Sequence, residues 1–369
     1  ISTRDWSSDV CSSDLKHILC RHESTATHMA DGYARESGKI GVAIASTGPG
    51  VGYTVPALQE AFGSSVPLLV IATNIASTKI GKGIGTLHEI TEQEKIFRNV
   101  TKGVFAIRAK SEAQDLTRRA LATALLGRPG PVYLEIPTDL LNKEVEEESP
   151  VVMDPFPKTP PPPNLEKAIA LMGEAQNPLV SVGTAALRAG LSKDIIGIAE
   201  ALTAPVLFSP NAKGMIPDDH PLALGNGARR GVIREAVATS DLVLAMGTRL
   251  REVDAKRRGL LLPRLIHVDW DDQWIDKNFP SEIALTGDLV QIVRALAKKI
   301  THLPQRENRK TRMAEIIRSL QEEISKISEV HSELAYLEAI RNVLPRESTL
   351  VADNTQLGYW SEYFYPSFV

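Results

Sequence analysis

The sequence predicts an α/β protein with two doubly wound, mostly parallel-sheet domains. Short apolar runs of strand length alternate with amphipathic helical segments, the pattern of strands joined by crossover helices. Several of these runs are apolar at consecutive positions, which is typical of strands buried on both faces. The chain has 369 residues, 43% of them hydrophobic, which is enough for two cores.

The first domain is expected over residues 16–141 and opens with the end of a strand at Ile18–Cys20. A helix should follow, with Ser24 or Thr25 as its N-cap and Gly38 as its terminator. Its apolar residues recur at helical spacing: Ala26, Met29, Ala30, Tyr33 and Ala34. Buried strands are expected at 41–45 and 66–72, and the turn at 46–50 should open a second helix.

The rest of this domain alternates in the same way. Residues 80–102 contain three glycines and no sustained period, which predicts a functional loop. Ser111 to Gln114 resembles a capping box, so a helix should run to Leu126 and end at Gly127. The apolar run at 131–137 predicts the closing strand.

An acidic and proline-rich linker at 142–163 separates the two domains. The second, a Rossmann-like central domain at 164–300, should contain the strands 178–182, 205–209, 241–246 and 264–269 and the helices 191–203 and 229–238. A helical connection is expected at 301–345. A strand is then expected at 349–354.

Small or polar residues follow several strands of the central domain, where such sheets bind ligands. Those of interest are Gly183, Gly247, Arg249 and Asp269. A glycine at a strand end is also common in a plain tight turn, so that alternative stays open. The Asp218-Asp219-His220 run precedes a proline and predicts a turn rather than a metal site.

Composition excludes several classes of function. The net charge of −3 gives no reason to expect nucleic-acid or membrane-surface binding. Apolar runs stay short of the roughly 20 residues that a membrane span needs, and the two cysteines form no disulfide framework. We therefore expect a cytoplasmic protein. Residues 1–15 are rich in Ser and Asp, lack the pattern of a signal peptide, and are interpreted as an artefactual leader.

Glu23 stands where a short apolar run meets a helix. Alone, such a carboxylate often only complements the positive end of the helix dipole. The neighbouring motifs change this interpretation. Four of them occur together in a fixed order: Arg21-His22-Glu23, the stretch from Met29 to Arg35, Thr47-Gly48-Pro49-Gly50 and the Val66-Pro67 strand. At this spacing they resemble the thiamine diphosphate-dependent enzymes of the acetolactate synthase group, from about residue 16 to the C-terminus.

The resemblance implies a role for each motif. Glu23 would be the catalytic carboxylate, which hydrogen-bonds the pyrimidine ring of the cofactor and favours its imino form. Thr47, Gly48, Pro49 and Gly50 would line the pyrimidine. Residues 346–369 would be the truncated start of the family's third, diphosphate-binding domain. The diphosphate and Mg²⁺ would be held by the missing remainder of that domain, so no metal ligand is expected in this chain. The cofactor would lie between two subunits, which implies a homodimer or homotetramer.

The resemblance also raises the expectation of a bound flavin, FAD. Arg98 matches a family arginine near a flavin, and the segments 225–247 and 267–286, which contain Gly247 and Asp269, match flavin-binding segments of the family. Gly183 and Arg249 are further candidate cofactor-binding residues. A surface arginine is the alternative for Arg98.

The substrate would be a small 2-oxo acid, but the expected substrate loop departs from the family pattern. Acetolactate synthases, enzymes of branched-chain amino acid biosynthesis, carry Phe-Gln where this chain has Leu87-His88. The leading interpretation is decarboxylation followed by carboligation. Two alternatives remain: a decarboxylase that releases an aldehyde, and a non-catalytic nucleotide- or flavin-binding fragment. In each case we expect the truncated chain alone to be inactive.

Overall fold

A computed structural model describes residues 16–144, 162–226, 231–255, 259–303 and 307–368. The chain divides into two compact units, residues 1–153 and 154–369, which are described separately.

In the first unit, parallel strands form a sheet in the order β1-β2-β4-β3. The strands are β1 (Gly41–Ala45), β2 (Leu68–Asn74), β3 (Gly103–Ala106) and β4 (Val132–Pro137), and the helices are α1 (Glu23–Ser37), α2 (Pro49–Gly52), α3 (Val55–Ser64) and α4 (Ala113–Leu125). Short 3₁₀ turns span Gln93–Phe97, Lys110–Glu112 and Thr138–Leu140.

Helices pack on both faces of this sheet, but the edge strand β1 is covered on one face only. Val42 and Ile44 are 50% and 66% exposed, so the predicted burial of the 41–45 strand is wrong for its second face. On one face α1 and α3 pack their alanines and Leu58 against β1 and β2. On the other, Ala120 and Ala124 of α4 pack against Leu69, Val132 and Leu134. A Cβ on Gly41 would lie 2.1 Å from the carbonyl oxygen of Ala30, so a glycine is needed for α1 to lie this close to β1.

In the second unit, parallel strands follow the order β10-β9-β8-β5-β6-β7. They are β5 (Pro178–Val182), β6 (Val206–Phe208), β7 (Ala223–Gly225), β8 (Leu242–Met246), β9 (Arg264–Asp269) and β10 (Ile283–Thr286). The helices are α5 (Leu165–Glu174), α6 (Thr184–Arg188), α7 (Ser192–Leu202), α8 (Gly231–Ala238), α9 (Leu289–Ile300), α10 (Glu307–Val330), α11 (Glu333–Val343) and α12 (Gln356–Phe364). From β5 the chain adds β6 and β7 on one side of the sheet and then returns to add β8, β9 and β10 on the other side, with all these strands parallel. This order confirms the predicted doubly wound fold.

The predicted strand at Ile18–Cys20 is wrong, because these residues form neither strand nor helix. The predicted N-cap is also wrong: α1 begins at Glu23, and His22 caps it by accepting the Ser24 N–H at its Nδ1 over 3.1 Å. Histidine is not among the usual N-cap residues, so the sequence pattern pointed to a position too late in the chain. The predicted end at Gly38 is confirmed, with φ of +69°.

Three strands were not predicted from the sequence: β3, β7 and β10. Each is short and lies at an edge of its sheet. Since edge strands are only partly buried, they need no continuous apolar run to be stable. The cap predicted at Ser111 is also displaced: Ala113 begins α4, and the Glu112 carboxylate accepts the N–H groups of Arg108 and Ala109 at 2.8 and 3.1 Å.

The strand predicted at 349–354 is not formed. Val351 is 89% exposed and pairs with no strand, and a lone strand is unstable without a partner. The segment that follows forms α12, which was not predicted, and it packs within the second unit. Asn226 Nδ2 donates to the Glu362 carbonyl at 2.6 Å, and the N–H of Ser367 donates to Asp218 at 2.8 Å. Among the described residues, no helix is both long and apolar enough to cross a membrane.

Candidate functional site

Glu23 is the first residue of α1 and is half-buried. Its backbone is fixed on both sides, by the His22 cap and by the Thr27 hydroxyl, which donates to the Glu23 carbonyl at 2.9 Å. In the part of the chain that the structure describes, no hydrogen bond or ion pair occupies its carboxylate. The backbone that carries the carboxylate is therefore fixed, and the carboxylate is available to a ligand.

The turn from Ser46 to Gly50 lies against this carboxylate. A Cβ on Gly50 would lie 3.0 Å from Glu23 Oε1 and 2.3 Å from Ser46 Oγ. The glycine thus leaves room for the carboxylate to approach the turn backbone closely. Gly48 has φ of +68° and ψ of −120°, a conformation that other residues rarely adopt.

The predicted substrate loop lies beside the same turn. A Cβ on Gly48 would lie 2.5 Å from the carbonyl oxygen of His88 and 2.8 Å from its Cβ. The Glu89 carboxylate holds the loop by accepting the N–H groups of Gly83 and Thr86, each at 2.9 Å. Leu87 is 80% exposed, and the His88 side chain is exposed too. The structure therefore brings together Glu23, the turn and His88.

A buried polar residue that the sequence patterns did not single out supports the turn. Gln93 is fully buried, and its Oε1 accepts the Gly48 N–H at 2.8 Å. Its Nε2 donates to the Thr73 carbonyl at 3.1 Å, which also accepts the Thr47 hydroxyl at 2.8 Å. These partners lie 20 or more residues away in sequence, so no local spacing reveals them.

The hydrogen bonds of Gln93 continue to two residues of β4, Tyr133 and Glu135. Its Nε2 lies 2.9 Å from Tyr133 Oη and 3.2 Å from Glu135 Oε2. The Tyr133 hydroxyl donates to Glu135 at 3.0 Å, and Arg108 donates to the other carboxylate oxygen at 2.8 Å. Burial, and then the charge of Glu135, raise the pKa of Tyr133 far above its usual range, so this hydroxyl stays protonated.

Arg98 lies elsewhere in the first unit. It ends the Gln93–Phe97 turn and lines an open surface pocket with Glu94, Lys102 and the edge strand β3. No residue of the 46–50 turn lines that pocket.

The predicted residues of the second unit lie at the carboxyl ends of β5, β8 and β9. A Cβ on Gly183 would lie 2.3 Å from the Gly247 carbonyl oxygen, and one on Gly247 would lie 2.5 Å from the Ala186 nitrogen. These two glycines therefore allow the chain to pack against itself. Asp269 is fully buried at the end of β9, and the Arg249 guanidinium lies 5.0 Å from the centroid of the Trp274 ring.

No group of three His, Cys, Asp or Glu side chains suited to holding a metal ion occurs among the residues that the structure describes.

Comparison with known proteins identifies two domain families in the chain. Residues 7–96 match the family model of the thiamine pyrophosphate enzyme N-terminal TPP binding domain, and residues 165–296 match that of the thiamine pyrophosphate enzyme central domain. Thiamine pyrophosphate is the same compound as thiamine diphosphate.

Individual relatives carry two kinds of name. A probable 2-ketoarginine decarboxylase of Pseudomonas aeruginosa is 35% identical over 362 residues, which cover 96% of this chain and 64% of the relative. A probable acetolactate synthase large subunit of Methanocaldococcus jannaschii is 33% identical over 295 residues, 77% of this chain and 49% of the relative. An acetolactate synthase of Arthrospira platensis is 31% identical over 309 residues, 80% of this chain and 53% of the relative.

The chain spans between about half and two thirds of the length of these relatives. The two matched domains follow one another as the two α/β units do, and the first contains Glu23 and the glycine turn. The chain belongs to the thiamine pyrophosphate enzymes, of which it carries the N-terminal TPP-binding domain and the central domain.

Proposed function

We propose that this chain, joined to a diphosphate-binding domain, decarboxylates a 2-oxo acid with thiamine diphosphate. We call that assembly the extended protein. The observation that carries the proposal is the position of Glu23 Oε1, which faces the backbone of Gly50 without a protein hydrogen-bond partner among the described residues.

These residues fit the pyrimidine ring of the cofactor. The ring is flat and carries nitrogen atoms on its edge, so it needs a surface without side chains and a hydrogen-bonding group at a fixed position. Gly48 and Gly50 supply the surface, and Glu23 supplies the group. Since the site is partly withdrawn from water, a hydrogen bond to Glu23 is stronger there than in solution.

When bound, thiamine diphosphate supplies a carbon nucleophile and stores the electrons that remain after carbon dioxide leaves. The contribution of this chain is to hold the pyrimidine and to exchange a proton at the Glu23 carboxylate. We propose that Mg²⁺ and the diphosphate are held outside this chain. We also propose that two extended proteins associate as a homodimer, or four as a homotetramer, around their cofactors.

For the second step we propose that the extended protein protonates the decarboxylated fragment and releases an aldehyde. Two observations support this rather than the ligation that the family resemblance first suggested. His88 lies beside the turn at the position where acetolactate synthases carry glutamine, and an imidazole donates a proton near neutral pH. The probable 2-ketoarginine decarboxylase also matches nearly the whole of this chain.

Carboligation is the second candidate, because most of the relatives given above are named as acetolactate synthases. Product analysis separates the two. The extended protein should be incubated with a panel of 2-oxo acids, including pyruvate, 2-oxobutyrate and 2-ketoarginine, and its products identified. Aldehydes should predominate. A hydroxy-keto acid as the main product would establish ligation instead, and no turnover of any 2-oxo acid would contradict the decarboxylation itself.

The role of His88 has its own test. His88→Gln combined with Leu87→Phe should shift the product ratio from aldehyde toward the ligated product, because the glutamine does not donate a proton near neutral pH as the imidazole does. An unchanged ratio at an unchanged rate would mean that His88 takes no part in the choice of product.

We keep FAD binding as a separate proposal. It rests on the family resemblance, on Arg98 and Arg249, and on the buried Asp269 at the end of β9. Gly183 and Gly247 do not add to it, because their lack of a Cβ is explained by packing. A yellow extended protein with a flavin absorption spectrum would support the proposal. A colourless protein whose melting temperature does not respond to added FAD would contradict it.

A further inference from the structure

The buried side chain of Gln93 links the backbone of the Ser46–Gly50 turn to the sheet. The Thr47 hydroxyl holds one side of the turn directly on the Thr73 carbonyl. The peptide N–H of Gly48 reaches no backbone carbonyl of the described residues and donates to Gln93 Oε1 at 2.8 Å instead. Gln93 in turn donates to the same Thr73 carbonyl at 3.1 Å.

The orientation of the Gln93 amide is determined by its partners. The Gly48 N–H is only a donor, so it must face the amide oxygen. The Thr73 carbonyl and the Glu135 carboxylate are only acceptors, so they must face the amide nitrogen. Arg108 pairs with Glu135 at 2.8 Å and keeps that carboxylate in place. A flipped amide would oppose like groups at each of these contacts, so Gln93 presents its oxygen to Gly48 permanently.

This contact acts on a peptide that would not otherwise keep its conformation. Gly48 has φ of +68° and ψ of −120°, which only glycine adopts readily, and glycine is also the residue with the most freedom to leave it. Two residues further on, Gly50 stands opposite Glu23 Oε1. The distance between the Glu23 carboxylate and the turn therefore depends on where Gln93 holds Gly48.

We propose that Gln93 is a positioning residue of the cofactor site: its amide fixes the Gly48 peptide and so sets the gap between Gly50 and Glu23 in which the pyrimidine edge is received. This inference rests on the proposed function. Gln93 does not touch the cofactor, and it acts only through the turn.

The first test uses the 369-residue chain itself and needs no cofactor. Hydrogen exchange of the Gly48 amide should be measured in the wild type and in Gln93→Met, which keeps the side-chain length but has no acceptor for the N–H. We expect exchange at least tenfold faster at Gly48, since a buried donor without a partner is costly. Gln59→Met is the matched control, because Gln59 is exposed on α3 in the same unit. Equal Gly48 protection in wild type and Gln93→Met would overturn the proposal.

The second test measures the affinity of the extended protein for thiamine diphosphate with Mg²⁺. Gln93→Met should weaken binding at least tenfold. Gln93→Glu keeps the acceptor but places a second carboxylate beside Glu135, so it should bind weakly at pH 8. Burial beside the Glu135 carboxylate should raise the pKa of the new carboxyl group, so affinity should recover as the pH is lowered toward 5 and the protonated group again both accepts and donates. A role limited to general stability would weaken binding only where the variant is partly unfolded, which circular dichroism at both pH values would reveal, so weak binding by a fully folded variant supports the positioning role.

The outcomes separate this inference from the proposed function. Loss of cofactor affinity in Glu23→Ala with wild-type affinity in Gln93→Met would refute the positioning role and leave the function standing. Wild-type affinity in both variants would refute the proposed role of Glu23 and the glycine turn in holding the cofactor, and this inference with it, whereas the decarboxylation itself is tested by turnover of 2-oxo acids.

Discussion

Replacement of Gly48 by alanine tests the geometry on which the site depends. The new Cβ would lie 2.5 Å from the His88 carbonyl oxygen and 2.8 Å from its Cβ. Favourable contacts between carbon atoms begin at about 3.5 Å, so the loop that carries His88 must move by about 1 Å. The positive φ of +68° adds backbone strain, and together we expect a loss of about 1–3 kcal/mol of stability in the first unit.

Hydrogen exchange on peptides from β2 and β4 measures the opening free energy of the first unit without interference from the second. Gly52→Ala is the matched control, because Gly52 ends α2, has no positive φ, and has no described atom within 4 Å of the place that its new Cβ would take. It should be neutral or stabilising by up to about 1 kcal/mol. If Gly48→Ala also left the opening free energy unchanged, the close approach of the 83–89 loop to the turn would be wrong.

Three further predictions concern other parts of the chain. The pKa of Tyr133 is raised in the folded state, so the stability that it contributes is complete below the unfolded pKa of about 10 and is lost as the pH rises above it. Between pH 9 and 11 the opening free energy of the first unit should therefore fall less steeply in Tyr133→Phe than in the wild type. Parallel profiles would contradict this. Arg309 is buried and donates to the carbonyls of Ala175, Gln176 and Leu202 near the C-termini of α5 and α7. Arg309→Met should lower the free energy of urea unfolding of the second unit by about 3 kcal/mol, whereas Arg318→Met, at an exposed position of α10, should lower it by less than about 0.5 kcal/mol. Equal unfolding midpoints for the two variants would refute the role of Arg309. The 369-residue chain alone should bind thiamine diphosphate weakly and should not turn over pyruvate, and turnover at rates typical of enzymes would show that the diphosphate anchors lie within it.

The central strands and their order of appearance could be predicted because each is buried on both faces and therefore continuously apolar. The strand at Leu242–Met246, for example, is fully buried and was predicted within one residue. The edge strands β3, β7 and β10 were missed for the opposite reason, since β3, for example, is only partly buried along its whole length. The cap of α1 was displaced because a histidine side chain makes the capping bond.

Within the site, Glu23, the glycine turn and the Leu87-His88 loop followed from motifs that are local in sequence. Their mutual approach did not, because it depends on the missing Cβ atoms of Gly48 and Gly50 and on where the 83–89 loop returns. Gln93 was overlooked altogether. It contacts Gly48, Thr73, Tyr133 and Glu135, which are brought together only by the packing of β2 and β4.

The most direct test of the central claim is the rate at which the C2 proton of bound thiamine diphosphate exchanges with solvent in the extended protein, with Glu23 intact and in Glu23→Gln. The two side chains have nearly the same size, so the fold should be kept, but the amide cannot take part in proton transfer as the carboxylate does. We predict that the exchange rate falls by about 10²–10⁴-fold in the variant. An exchange rate near that of the wild type, with cofactor bound equally well, would show that Glu23 does not activate the cofactor.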